Sequence, residues 1–166
     1  MNEITVHPAS EENPGFLLWQ VSTLWSKSTT AALKPIGLTH PQFVILATID
    51  WLKDKGASQE EIGRQVVLDP KVTSHLLRSL EIKGLIEPLR SIGKKSKNPV
   101  LTTAGMEMLS KALPVVKSAD EDFFASIGLK QSKIVNTLQI LARANFLKSD
   151  GEPCSLSEDD GESCSG

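Results

Sequence analysis

Lys71, Ser74, His75 and Arg78 recur at i, i+3, i+4 and i+7, the spacing that aligns side chains along one face of an α-helix. Each can donate a hydrogen bond and two are cations, so the stripe suits a partner rich in acceptors and negative charge. The major groove of double-stranded DNA is such a partner. Arg78 can pair bidentately with a guanine edge, while Ser74 and His75 read neighbouring edges or position the helix. A solvated basic face would carry similar residues, and the distribution of charge separates the two readings. The chain has 166 residues and a formal charge of -2. Residues 149–166 hold six acidic residues and no Lys or Arg, so the preceding 148 carry +4. Between residues 64 and 97 eight basic residues face three acidic ones, which concentrates the whole positive excess in one segment. Neutralising phosphates requires clustering of this kind.

The elements that would carry these residues follow from caps and breakers. Ser58-Gln59-Glu60-Glu61 is a capping box, opening a short helix through Ile62, Arg64 and Val66. Val67 to Asp69 makes a turn, and Asp69-Pro70 caps a second helix that runs to Lys83 and stops at Gly84. Two helices joined by so short a turn have the form of a helix-turn-helix. On the second helix Val72, Leu76 and Leu80 are expected inside, with Thr73 and Leu77 at the margin. Thr73 is counted with the DNA-facing set. Residues 85–90 and 99–102 read as two short strands, confined by Pro88 and Pro99 to a ribbon with free edges. Arg90, Lys94, Lys95 and Lys97 at the tip make that ribbon the wing of a winged helix.

Around this lobe lie longer helices. One is expected from Phe16 to Leu33, stopped by Pro35 and Gly37, and a nearly apolar one follows the Thr39 cap and Pro41, through Phe43 to Trp51. After the ribbon, Thr102 or Thr103 caps a helix that Pro114 should bend, and a last helix follows Gly128. The fold class is mainly α with a small β-ribbon. The first 15 residues form a disordered arm, residues 16–148 a single domain, and residues 149–166 a disordered acidic tail. Cys154 and Cys164 lie in that tail, ten residues apart without a nearby histidine, which matches no common zinc pattern.

Several classes of function find no support. The longest apolar stretches fall far short of the roughly 18 residues that cross a bilayer, and the start lacks the pattern of a secretory signal, so a cytoplasmic location and no membrane partner are expected. There is no Gly-rich phosphate loop, no GxSxG and no HExxH, and His7, His40 and His75 are scattered. An enzyme, a metal site and a cofactor are therefore not expected. The surviving alternative is a winged helix used only as a protein-interaction module, which would not require both the basic stripe and the wing.

Gly37-Leu38-Thr39-His40-Pro41-Gln42-Phe43, Asp69-Pro70-Lys71-Val72-Thr73-Ser74-His75, Leu80-Glu81-Ile82-Lys83-Gly84-Leu85-Ile86 and Leu101-Thr102-Thr103-Ala104-Gly105 stand in fixed order. Together they resemble the MarR family of bacterial winged-helix transcriptional regulators over roughly residues 16–147. The resemblance implies a DNA-binding lobe at about 39–102 and dimerisation helices at about 16–36 and 103–148. It further implies a homodimer that acts, as a repressor or an activator, at a pseudo-palindromic site and is often released by a small ligand. Trp19, Trp25 and Trp51 are candidates for lining a pocket for an aromatic effector. The chain departs from the family at the wing, where an Asp-x-Arg pair commonly sits. Gly93 and Lys95 hold the matching positions, and a lysine does not replace the guanidinium fork.

Overall fold

The computed structural model describes residues 12–89 and 97–149. The side chain of Asn13 accepts from the Phe16 N–H at 2.9 Å and starts α1 (Pro14–Leu33), two residues earlier than the apolar pattern indicates, with Pro14 in the first helical position. Gly37 closes the following turn at φ 77°, in the left-handed region that glycine adopts without a Cβ clash. The Thr39 hydroxyl accepts from the Gln42 N–H and opens α2 (His40–Trp51). Gln42 returns the bond by accepting from the Thr39 N–H at 3.2 Å, so this cap is reciprocal. The remaining helices are α3 (Gln59–Gln65), α4 (Pro70–Ile82), α5 (Thr103–Phe124) and α6 (Gln131–Ser149). Along α5 the helix is uninterrupted at Pro114.

By its contacts the chain divides into two compact units, Met1–Phe123 and Phe124–Gly166. In the first, α2 is central, as its nearly all-round apolar character requires. Seven of its twelve residues are buried. Leu33 of α1, Ile45 and Leu46 of α2, Ile62 of α3, and Leu77 and Leu80 of α4 are fully enclosed around it. The second unit contains a 3-10 segment, Ala125–Lys130, interrupted at Gly128, and then α6, on which Val135, Leu138, Ile140 and Leu141 are exposed. No helix among the described residues is long and apolar enough to cross a membrane.

The expected two-stranded ribbon appears among the described residues as a single antiparallel bridge between Ile86 and Leu101. The Glu87 N–H donates to the Val100 carbonyl, Thr102 N–H to that of Leu85, and Lys97 N–H to that of Leu89. With Ile86 opposite Leu101, Pro88 and Pro99 face each other at a non-hydrogen-bonded position, and the Leu89 N–H that would make the next rung donates to the Glu81 carboxylate instead. The tip, residues 90–96, and residues 1–11 and 150–166 of the expected arm and tail, with Cys154 and Cys164, lie outside the described residues, while Pro14 and Gly15 of that arm and Ser149 of that tail are helical.

The stem of this ribbon is locked to α5 at the Leu-Thr-x-x-Gly segment. Thr102 is the cap: its Oγ1 accepts from the Gly105 N–H at 3.0 Å and donates to the Gly84 carbonyl at 2.7 Å. Gly105 itself lies against the backbone of Leu85, and a Cβ there would sit 1.9 Å from the Leu85 carbonyl oxygen. No side-chain rotation relieves an overlap with backbone. Gly105→Ala should therefore lower the unfolding free energy by at least about 1–3 kcal/mol in urea titration. A loss within about 0.5 kcal/mol, the range of neutral surface substitutions, would show that α5 and the stem do not meet in this way.

Candidate nucleic-acid interface

The helix-turn-helix is assembled by short-range signals. The Ser58 hydroxyl accepts from the Glu61 N–H at 3.2 Å, and the Glu61 carboxylate accepts from the Ser58 N–H at 2.7 Å. These bonds, that from the Ser58 backbone foremost, hold the Glu61 carboxyl below its ordinary pKa. At the other end of α3 the Val67 N–H donates to the Arg64 carbonyl and the Leu68 N–H to that of Gly63, a Schellman closure with Val67 in the left-handed position at φ 55°. Asp69 then accepts from the Lys71 N–H at 2.8 Å and opens α4.

At its N-terminal end the rotation of α4 about its axis is set by a close approach. Gly63 of α3 has no Cβ, and one placed there would lie 2.9 Å from Thr73 Oγ1. Thr73 fills that space and is 1% exposed, its hydroxyl donating to the Asp69 carbonyl at 3.0 Å. This corrects two expectations. Thr73 is not available to DNA, and Val72, expected inside, is exposed. The buried line runs through Thr73, Leu77 and Leu80. Opposite to it, at 100° per residue, Lys71, His75 and Arg78 fall within an arc of about 60°, and all three are exposed. Among the described residues neither Lys71 nor Arg78 forms an ion pair. Ser74 is exposed on the flank facing α3, where it accepts a short hydrogen bond from the Gln59 side chain. Gln59 thus joins the polar surface, a residue that the stripe on one helix gave no reason to include. Its position in the first turn of α3 was the available signal.

α4 is tied to α2 by a buried amide. Gln42 is 6% exposed; its Nε2 donates to Ser79 Oγ at 2.7 Å, and its Oε1 accepts from Lys83 Nζ at 2.8 Å as well as from the Thr39 N–H. Lys83 also donates to the Gly37 carbonyl at 2.7 Å. It belongs to the frame, although it counts toward the basic excess. Glu81 accepts from the Leu89 N–H at 3.2 Å and so connects α4 to the wing stem. Of the wing cations, Lys97 is exposed at the stem, while Arg90, Lys94 and Lys95 lie outside the described residues.

Trp19 and Trp51 are 65% and 79% exposed, and none of the three tryptophans lines either of two cavities among the described residues. The first of these lies between α2, the start of α3 and the ribbon stem, and the second between α1 and α5. Trp25 donates from Nε1 to Asp120 Oδ1 at 2.7 Å and meets the ring of His40 edge-on at 4.6 Å. His40 Nδ1 is 3.1 Å from Ser26 Oγ. Burial holds the His40 pKa below its ordinary value, and Asp120 opposes the shift without cancelling it. Among the described residues there is no cluster of metal-ligating side chains.

No protein-family model matches the chain. It is 35% identical over 136 residues to the uncharacterized HTH-type transcriptional regulator YdcH of Bacillus subtilis, covering 79% of this chain and 90% of that one. It is 31% identical over 120 residues to the HTH-type transcriptional repressor Rv2887 of Mycobacterium tuberculosis, covering 72% and 85%. The crystal structure of Rv2887, a MarR family protein, in complex with p-aminosalicylic acid matches with a TM-score of 0.62 at 30% identity, over 78% of this chain and 98% of that one. Its complex with DNA matches with a TM-score of 0.58 at 27% identity, over 86% and 100%.

The lowered His40 pKa has a defined sign in folding. The unfolded chain takes up a proton near 6.5 that the folded chain resists, so the stabilising effect of neutral His40 is full above that pH. It is lost progressively as pH falls from there through the folded-state value. In urea titrations between pH 7.5 and 5, the wild type should lose stability relative to His40→Asn. Parallel profiles for the two would show that His40 is not held neutral by its surroundings.

Proposed function

The chain belongs to the MarR family of HTH-type transcriptional regulators, and from that premise we propose that it is a homodimeric, ligand-responsive repressor that reads a pseudo-palindromic operator through α4. The observation that carries the reading is the outward face of α4. Lys71, His75 and Arg78 stand exposed on it with Ser74 at its flank, on a helix whose opposite face is locked into the core. Cations and hydrogen-bond donors held in one orientation are what reading base edges between two phosphate backbones requires. In this reading Arg78 contacts a base, Ser74 and His75 contact edges or orient the helix, and Lys71 neutralises a phosphate. The wing, with Arg90, Lys94, Lys95 and Lys97, lies beside each half-site and acts through charge, since it lacks the acid that would orient an arginine in the minor groove.

Dimerisation supplies the second half-site. Leu17, Leu18, Val21 and Leu24 on α1, and Val135, Leu138, Ile140 and Leu141 on α6, are exposed apolar side chains in numbers that a two-fold interface would bury. Residues 16–36 and 103–148 serve as the dimerisation helices and 39–102 as the reading lobe. Release by a small aromatic effector is supported by the structures of the relative Rv2887 with salicylic acid and with p-aminosalicylic acid.

Genomic footprinting with the purified protein locates the operator, and Arg78→Ala is then compared with wild type on it. The variant should bind about 1–3 kcal/mol more weakly and relax the preference at one position of each half-site. An unchanged footprint and affinity would mean that α4 does not dock with this face to the groove.

A further inference from the structure

Val67 combines two features that are separately unremarkable. It is the one non-glycine residue at positive φ among the described residues, and it is β-branched, the side-chain class that the left-handed region tolerates least. Its side chain is also 72% exposed. The Schellman closure of α3 needs a left-handed residue at this position, and glycine meets that need without steric cost. Both bonds of the closure are made by backbone, from the N–H groups of Val67 and Leu68, so the isopropyl group contributes nothing to them. Core packing does not account for it either, given the exposure. The neighbouring exposed valine, Val72, sits in regular helix, where a single apolar side chain at the surface calls for no explanation. Val67 is different, because a strained backbone is retained for a side chain that the folded monomer does not use.

Its place in the fold indicates the use. Val67 lies in the turn that leads into α4, three residues before Pro70 and four before Lys71. In a helix-turn-helix this end of the recognition helix meets the base edges. Within the major groove the apolar group that marks a base is the 5-methyl of thymine. A β-branched side chain has few rotamers, so it presents its methyls in a fixed direction at little entropic cost. We propose that Val67 reads the 5-methyl group of a thymine in each half-site of the operator. The inference rests on the reading of α4 as the DNA-recognition helix and adds a residue outside that helix to the contacts that set specificity.

The test removes the methyl from the DNA and the isopropyl from the protein independently. Affinities of wild type, Val67→Gly and Val67→Asn are measured on the footprinted operator, with each thymine replaced in turn by deoxyuridine. Glycine and asparagine both tolerate positive φ, so each variant should be at least as resistant to urea as wild type. Wild type should lose about fourfold in affinity at one thymine position per half-site, the worth of burying one methyl, and roughly fifteenfold when both are replaced. Both variants should bind the thymine and deoxyuridine operators equally. The same deoxyuridine penalty in variants and wild type at every position would overturn the role of Val67 while leaving DNA reading intact. Variants less stable than wild type would overturn the argument from strain. Failure of the wild type to prefer any sequence would instead remove the reading of α4, and this inference with it.

Discussion

A buried side-chain amide on α2 decides which way α4 faces. Gln42 is almost fully enclosed, and a polar group taken out of water costs on the order of 1–3 kcal/mol unless its bonds are remade inside. The bonds available are the Thr39 N–H, the Lys83 ammonium and the Ser79 hydroxyl, the last two on the end of α4. They come within reach together in a narrow range of rotations and positions of α4 against α2. At the other end of α4, Thr73 is seated where Gly63 has no Cβ. Held at both ends, α4 turns Lys71, His75 and Arg78 away from the core as a group. The wing stem inherits this frame, since it hangs from α4 through the Glu81 to Leu89 bond and from α5 through Thr102 and Gly105.

This arrangement separates two tasks of positive charge. Lys83 is consumed within the frame, whereas Lys71 and Arg78 remain at the surface without an acidic partner among the described residues. Exposed cations lower the cost of approaching a polyanion and give little back to folding. A second buried polar group, His40, lies at the entry of α2 between Trp25 and Ser26 of α1. Its neutrality is maintained by burial, and it joins α1 to the helix on which Gln42 sits.

What can be read from the amino-acid order, and what cannot, divides along range. The caps at Thr39, Ser58 and Asp69, and the stops at Gly37 and Gly84, are signalled within four residues and appear where the residue types place them. The helix-turn-helix and the outward stripe follow from them, because a helix wheel needs only spacing. Rotation of α4 by one position does not follow: Thr73 displaces Val72 from the interior only because Gly63, ten residues earlier, makes room. The structural role of Lys83 does not follow either, since its acceptors are at Gly37 and Gln42. The grouping of Trp19, Trp25 and Trp51 rests on residue type alone, and nothing in the order of residues indicates that Trp25 bonds to Asp120 on α5. In the ribbon, Pro88 and Pro99 are visible as edge markers, but the group that draws the Leu89 N–H out of the ladder, the Glu81 carboxylate on α4, lies eight residues earlier.

In the proposed function this frame presents a DNA-reading face twice, through a two-fold dimer. Selection of bound duplexes from a random-sequence pool by the purified full chain tests it directly, with no operator assumed. The expected result is enrichment of a pseudo-palindrome whose half-sites are separated by about one helical turn, 10–10.5 base pairs centre to centre, or a multiple of it. Binding without enrichment of any sequence, or enrichment of a single asymmetric motif, would contradict it.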